Sequence, residues 1–297
     1  MSGLSFATDG RDWPNAEFSR FVAAGGLRFH VQAMGDGPVL LLLHGTGAST
    51  HSWRDVAPLA ARHFRVIAPD LPGHAFTERP RDLSLAAMAK ALAALMEALE
   101  AQPAIIAGHS AGAAIAARMA LDQKTPPAAI LSVGGALLPF PGVAGALFPA
   151  LARLLFANPF VPALFSMRTL LPGETGRFLA RATGSTIDAR GVALYERLFR
   201  SPGHVGGALG MMADWNLAPL EAELHRLHMP LLLLHGARDA AVPPSSSETV
   251  ARRVASARVE ILGGLGHLLH EERPDLFVER LLALSREAGV LPLEAAA

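Results

Sequence analysis

Short, uninterrupted apolar runs constrain the fold of this chain more than any other feature. VLLLL (39–43), RVIAP (65–69), AIIA (104–107), AILSV (129–133) and LLLLHG (231–236) show no alternation of apolar and polar residues. A strand with one face in water alternates with a period of two, so such runs suit strands buried on both faces of a parallel sheet. RVEIL (258–262) reads as a further strand, and LRFHVQ (27–32) does alternate, as a half-exposed antiparallel strand should. Helical segments separate the runs. The clearest spans 84–100, where Leu85, Met88, Leu92, Leu95 and Leu99 recur at spacings of three and four behind Ser84 as N-cap. Others are expected near 246–255 and, as one continuous helix, from about Leu268 to Ala288.

Between about Gly135 and Leu224 the strand–helix alternation stops, and Pro-broken helical pieces take its place. That order predicts an α/β fold with a mostly parallel central sheet flanked by helices and an inserted helical cap. The expected division is a core of residues 1–134 and 225–297 around a cap of 135–224. Hydrophobic residues make up 51% and charged ones 18%, enough apolar material for a large core and no basis for disorder. The stretch Gly134 to Met167 has few charges, but prolines at 139, 141, 149, 159 and 162 cut it below the ~20 residues of a spanning helix. It reads as apolar surface facing protein, ligand or membrane edge.

Lys plus Arg and Asp plus Glu number 26 each, and no basic stripe is present, which argues against a nucleic-acid partner. The lack of cysteine removes disulfides, thiolate metal sites and a cysteine nucleophile. MSGLSFATDGRDWPN holds no charged segment followed by an apolar one, so the expected location is the cytoplasm, with peripheral contact to a membrane through the apolar stretch.

GHSAG (108–112) follows the strand AIIA and precedes the small-residue segment AAIAARMAL. With 28 Gly and 16 Ser in 297 residues, a G-x-S-x-G match arises by chance roughly 0.14 times per chain. Its context decides the matter. A serine hydroxyl needs a base to take its proton, and the base needs an anion to fix its tautomer. GARDAAVPP after LLLLHG places Asp239 at a strand's carboxyl end, and GGLGHLLHEERPD after RVEIL places His267 at the next one. The loop one strand earlier, GGALLPF, contains no carboxylate, so Asp239 has no rival. The developing oxyanion needs two N–H donors. Ala111, just after Ser110, and Thr46, in HGTG (44–47) after VLLLL, are the candidates. Such a mechanism needs no metal and no organic cofactor.

Other residues have plainer expected roles. His267 and His270 are three apart, but without a third ligand His270 reads as a helix-entry histidine bonded to backbone. His44, His74, His109 and His235 should satisfy loop carbonyls, and Asp70 should hold a turn. Glu271 and Glu272 should favour a helix dipole. Met211, Met212 and the run Val143 to Phe156 should be cap core, part of which lines a pocket for a large flat or long-chain ligand.

HG-x-G before Trp53, PDLPGH (69–74), GHSAG, GxxDxxVP (236–243) and GxGHxxHxExP (264–274) occur together in the order of the α/β-hydrolase superfamily, which the chain resembles from about Trp13 to Ala288. Ala75 stands where relatives often have Gly, and Glu271 adds an acid before Glu272. A narrower resemblance is to the magnesium-chelatase accessory proteins of bacteriochlorophyll biosynthesis, the BchO family. HGTGASTHSWRD, APDLPGHAFT, GHSAGAAIAARMALD, GLGHLLHEERPDL and, within the insertion, SPGHVGGALGMMADW carry it. This resemblance implies a serine esterase with a Ser110–Asp239–His267 triad acting near magnesium insertion. Its alternative is a non-catalytic accessory or porphyrin-binding protein that retains the triad. Implied partners are a small apolar or porphyrin-like ligand and the chelatase subunits, and substrate contacts are expected from cap residues between Gly135 and Leu224.

Overall fold

The apolar runs become strands of one eight-stranded sheet in the computed structural model, which describes residues 3–139, 158, 160–169 and 171–293. The strands are β1 (Ser19–Ala24), β2 (Leu27–Met34), β3 (Val39–Leu43), β4 (Arg65–Pro69), β5 (Ile105–His109), β6 (Ala129–Val133), β7 (Leu231–Gly236) and β8 (Ala257–Leu262). Their spatial order is β1-β2-β4-β3-β5-β6-β7-β8; β2 is antiparallel to β1 and β4, and the other pairs are parallel. Every residue of β5, β6 and β7 is buried, which is why their sequences do not alternate.

In chain order the helices are α1 (Phe6–Asp9), α2 (Val56–Ala60), α3 (Leu85–Ala98), α4 (Ala111–Asp122), α5 (Val161–Arg168), α6 (Glu174–Thr183), α7 (Ala189–Phe199), α8 (Pro202–Asp214), α9 (Ala218–Glu223), α10 (Ser245–Ala251), α11 (Leu269–Glu272) and α12 (Pro274–Glu287). Leu41, Leu43 and Ile106 pack with α3 and α4 on one face of the sheet, while Leu40, Leu42 and Ile105 pack with α2 and α12 on the other. Helices α5 to α9 lie between β6 and β7 and form the insertion. Ser84 caps α3 as expected, its hydroxyl accepting from the Ala87 N–H. Gly112 lets α4 sit against β3, since a Cβ there would lie 2.2 Å from the Leu43 carbonyl oxygen.

Two expectations change. LRFHVQ is antiparallel, but Phe29, His30, Val31 and Gln32 are all buried rather than alternating, because β1 pairs along its outer edge and Phe6, Phe21 and Phe76 pack around His30. The final helix is two, interrupted where Arg273 leaves the helical region (φ −141°, ψ 72°) and Pro274 starts α12. The run Val143 to Phe156, part of the low-charge stretch, lies outside the described residues. Among the described residues no helix is long and apolar enough to cross a membrane.

Candidate active site

After β3 the chain steps to β4 on one side, whereas from β5 it proceeds through β6, β7 and β8 on the other. The order of strands therefore reverses between β3 and β5, and the crevice at their carboxyl ends is where ligands of open α/β sheets bind. Ser110 leaves β5 there with φ 53° and ψ −116°, a costly backbone for a residue with a Cβ. Neighbouring loops hold it: the Ser110 N–H donates to the Val133 carbonyl at 2.9 Å, and the Ala136 N–H donates to the Ser110 carbonyl at 3.1 Å. That sharp turn projects the side chain beyond the sheet edge, half-buried, at the start of α4.

Asp239 follows β7 and His267 follows β8, and the two meet. His267 Nδ1–H donates to Asp239 Oδ2 at 2.7 Å. The other carboxylate oxygen accepts from the Ala241 and Val242 N–H groups, both at 2.8 Å, and His235 Nε2 lies 3.1 Å from Oδ2. Burial alone would raise this carboxyl, but hydrogen bonds from His235 and His267, with the His267 charge and the Val242 N–H, outweigh it and hold it down at about 2. Asp239 is thus an anion throughout the neutral range. It fixes the tautomer of His267 and leaves Nε2 as the nitrogen able to accept a proton.

Ser110 and His267 line a common cavity of about 510 Å³ with Thr46 and Ala111, while Asp239 sits behind His267. Phe178, Phe199, Met212 and Trp215 of the insertion form its walls, and no Lys, Arg, Asp or Glu is among the described lining residues. The Ala111 N–H belongs to the first turn of α4, where no intrahelical acceptor exists. The Thr46 hydroxyl is occupied, donating to Met211 Sδ at 3.4 Å, which leaves the backbone as the source of a second donor.

The family described as the alpha/beta hydrolase fold matches residues 38–274. The chain belongs to that family. It is 45% identical to the magnesium-chelatase 30 kDa subunit of Rhodobacter capsulatus, over 81% of this chain and 84% of that protein. To the 2-hydroxymuconate semialdehyde hydrolase of Pseudomonas sp. (strain CF600) it is 28% identical, over 84% of this chain and 88% of that one. Its fold is shared with the epoxide hydrolase CorEH at a TM-score of 0.75 and 23% identity, over 91% and 98% of the two chains.

Several residues that matter to the site of this member of the α/β-hydrolase fold family were assigned lesser roles from sequence, or none. Thr183 of the insertion accepts the His267 N–H at 2.8 Å through its carbonyl. Glu272 does not serve a helix dipole; its carboxylate accepts from Ser185 Oγ (2.8 Å), the Thr186 N–H (3.0 Å) and the Gly266 N–H (2.8 Å), tying the insertion to the loop that carries His267. α11 is too short to have a useful dipole, and both acids sit at its end. Only Glu271's repetition of an acid hinted at more. His270 bonds not to backbone but to Ser52 Oγ at 2.7 Å, with its ring against Trp53 and His109. His44, His74, His109 and His235 do satisfy carbonyls, those of Gly45, Pro72, His267 and Val242. Asp70 holds more than one turn: it accepts from His30 (2.7 Å), the Thr50 N–H (2.8 Å) and the Phe76 N–H (3.2 Å). Among the described residues no group of three or more His, Cys, Asp or Glu could hold a metal ion.

Glu271 lies fully inside, bonded to Arg54 (3.0 Å) and to the Tyr195 hydroxyl (2.7 Å) of α7. Burial pushes its carboxyl up to about 7, against the pull of Arg54, Tyr195 and Ser52. A raised native pKa means that the folded state holds this proton longer than the unfolded chain does. The resulting stability is complete below about 4.5 and is lost as the pH rises to about 7. Buried histidines such as His270 titrate with the opposite sign in part of this range, so the difference between proteins is the quantity to measure. Relative to wild type, Glu271→Gln should gain on the order of 1–3 kcal/mol of unfolding free energy between pH 5 and 7.5, at about 1.4 kcal/mol per pKa unit. Denaturant titrations at several pH values would refute this if the difference were flat.

Proposed function

We propose that the chain is a serine hydrolase that cleaves an uncharged, apolar ester-like bond. One observation carries the reading: the 2.7 Å bond from His267 to the ionised Asp239, with His267 and Ser110 on one cavity. Ser110 Oγ attacks the substrate carbonyl as His267 Nε2 takes its proton. The tetrahedral oxyanion is held by the Thr46 and Ala111 N–H groups, and the protonated imidazole then delivers its proton to the departing alkoxide. Water, deprotonated in turn by His267, hydrolyses the acyl-serine, releasing the acid and regenerating Ser110. No step draws on a metal or organic cofactor. In this reading residues 1–134 and 225–297 are the catalytic core and 135–224 the cap that selects the substrate.

The described lining, which holds no Lys, Arg, Asp or Glu, supports an apolar acyl or alcohol portion, because a substrate carboxylate would be desolvated there with no described Lys or Arg to pair with. The likeness to a magnesium-chelatase subunit supports work beside magnesium insertion, with chelatase subunits as partners and a porphyrin-like ligand as the second reading of the same cavity. A fluorophosphonate probe tests the chemistry directly. Covalent label should appear on the peptide containing Ser110 and on no other serine, and it should diminish when apolar esters compete. A folded protein that takes no label at Ser110 would refute the assignment.

A further inference from the structure

SPGHVGGALGMMADW (201–215) is distinctive in sequence yet contributes no group to the proton transfers above. It forms α8 and its flanks. The Ser201 hydroxyl accepts the His204 N–H and Pro202 occupies the first turn, so the helix begins at a defined residue. His204, Gly207 and Met211, at spacings of three and four, then share one face. That face lies on two core turns, 73–77 and 45–48, the second of which is beside Ser110. At Gly207 a Cβ would fall 1.8 Å from the Gly73 carbonyl oxygen, so only glycine permits this approach. Met211, fully buried, receives the Thr46 hydroxyl on its sulfur. Met212 and Trp215 line the cavity.

His204 makes the most directed contact of the three. Its Nδ1 lies 3.0 Å from the Ala75 nitrogen, and its Nε2 lies 3.0 Å from the Gly47 carbonyl oxygen. A backbone N–H can only donate and a carbonyl can only accept, so the tautomer is determined: Nδ1 bears the lone pair and Nε2 the hydrogen. Burial lowers the imidazole to about 4, which keeps it neutral and this arrangement intact across the neutral range. The residue clamped by the Nε2–H follows Thr46 directly. Ala75, which supplies the other bond, sits at φ 42°, a backbone that needs external support in a residue with a Cβ. The ring of His74 lies between those of His44 and His204, at centroid separations of 5.3 and 5.4 Å, which joins the two turns into one packed unit under the helix.

We infer that His204 is a positioning residue for the oxyanion donor at Thr46: through the Gly47 carbonyl it holds the 45–48 turn so that the Thr46 N–H stays aimed at the reacting oxygen. This rests on the hydrolase reading. It also assigns the insertion a part in turnover and not only in substrate selection.

Three substitutions test it. His204→Leu removes both bonds, His204→Gln can place an amide N–H near the Nε2 position and keep the Gly47 contact, and His204→Asn can keep only the Ala75 contact. On an activated ester His204→Leu should lower kcat at least about tenfold, towards the ~10²–10³ lost with an oxyanion donor, with KM within about threefold. His204→Gln should regain most of that loss and His204→Asn little of it. Hydrogen exchange of a peptide spanning 44–50 should quicken in the Leu and Asn variants and stay near wild type in Gln. Wild-type kcat in folded His204→Leu, or a loss confined to KM or melting temperature, overturns the inference. Should the Leu variant not fold, equal kcat in Gln and Asn does the same. Failure of the hydrolase reading is separately visible as absence of label at Ser110 in the wild type, while the exchange of 44–50 still reports whether His204 holds the turn.

Discussion

Ser110→Ala is expected to lower ester turnover about 10⁴- to 10⁶-fold, the scale on which losing a triad nucleophile acts. The substitution deletes one oxygen and leaves the backbone task unchanged. Position 110 must hold φ 53°, and Ala75 at φ 42° shows that an alanine can hold a positive φ in the same protein. The two hydrogen bonds that fasten the turn use the backbone of residue 110 and survive. Melting temperature should therefore stay within a few degrees of wild type, and residual rate should come from the oxyanion donors alone. Stopped-flow measurement should also show the loss of any acyl-enzyme burst. Turnover within about tenfold of wild type in the folded variant would remove Ser110 from the mechanism. The same variant separates catalysis from binding in the cell. If, as proposed, the protein serves magnesium insertion, pigment restored by this variant to a strain lacking the protein would assign it a binding role, and no restoration by the folded variant a chemical one.

Asp239→Asn should cost about 10⁴-fold in kcat with KM little altered, and the surrounding bonds say why the loss should be that large. One carboxylate oxygen accepts from both the Ala241 and Val242 N–H groups. In an asparagine those two donors must keep the amide carbonyl oxygen, which forces the NH₂ into the place now facing His267 Nδ1. The imidazole then has to present a lone pair at Nδ1 and carry its hydrogen on Nε2. In that tautomer it cannot accept the Ser110 proton. The geometry survives and the base does not, so steady-state kinetics should show a kcat effect without unfolding. A loss of less than about tenfold would mean that Asp239 is not what orients His267.

The core of this fold, and the arrival of Ser110, Asp239 and His267 at one sheet edge, were legible because each depends on local sequence. Strands buried on both faces are built mainly of apolar residues, so β3, β5, β6 and β7 announce themselves. A nucleophile turn needs small neighbours, and an acid and a histidine that work at one sheet edge must follow successive strands. What failed had non-local causes. LRFHVQ alternates yet is buried, because β1, Phe6 and Phe76 cover it, and none of these carries a strong signal. Glu271 follows a histidine motif as a solvated acid would, and only the tertiary fold, which buries it beside Arg54, 217 positions away, and Tyr195, makes it a proton-retaining carboxyl, burial outweighing the downward pull of those two partners. His270 finds Ser52 across 218 positions.

By itself, then, the sequence determined the sheet, the sharp turn at Ser110, and which acid and which histidine arrive at the same edge, since periodicity and turn chemistry act within a few residues. Tertiary structure decided how those groups are held: His267 by Thr183 and Asp239, the 45–48 turn by His204 and Met211, the loop of His267 by Glu272. Each of those contacts but the Glu272–Gly266 bond joins the insertion, or another distant segment, to the core, and Glu272 reaches the insertion through Ser185 and Thr186. Bonds of that kind depend on where two surfaces meet when α5 to α9 fold over the sheet, and no pattern along the chain encodes that meeting.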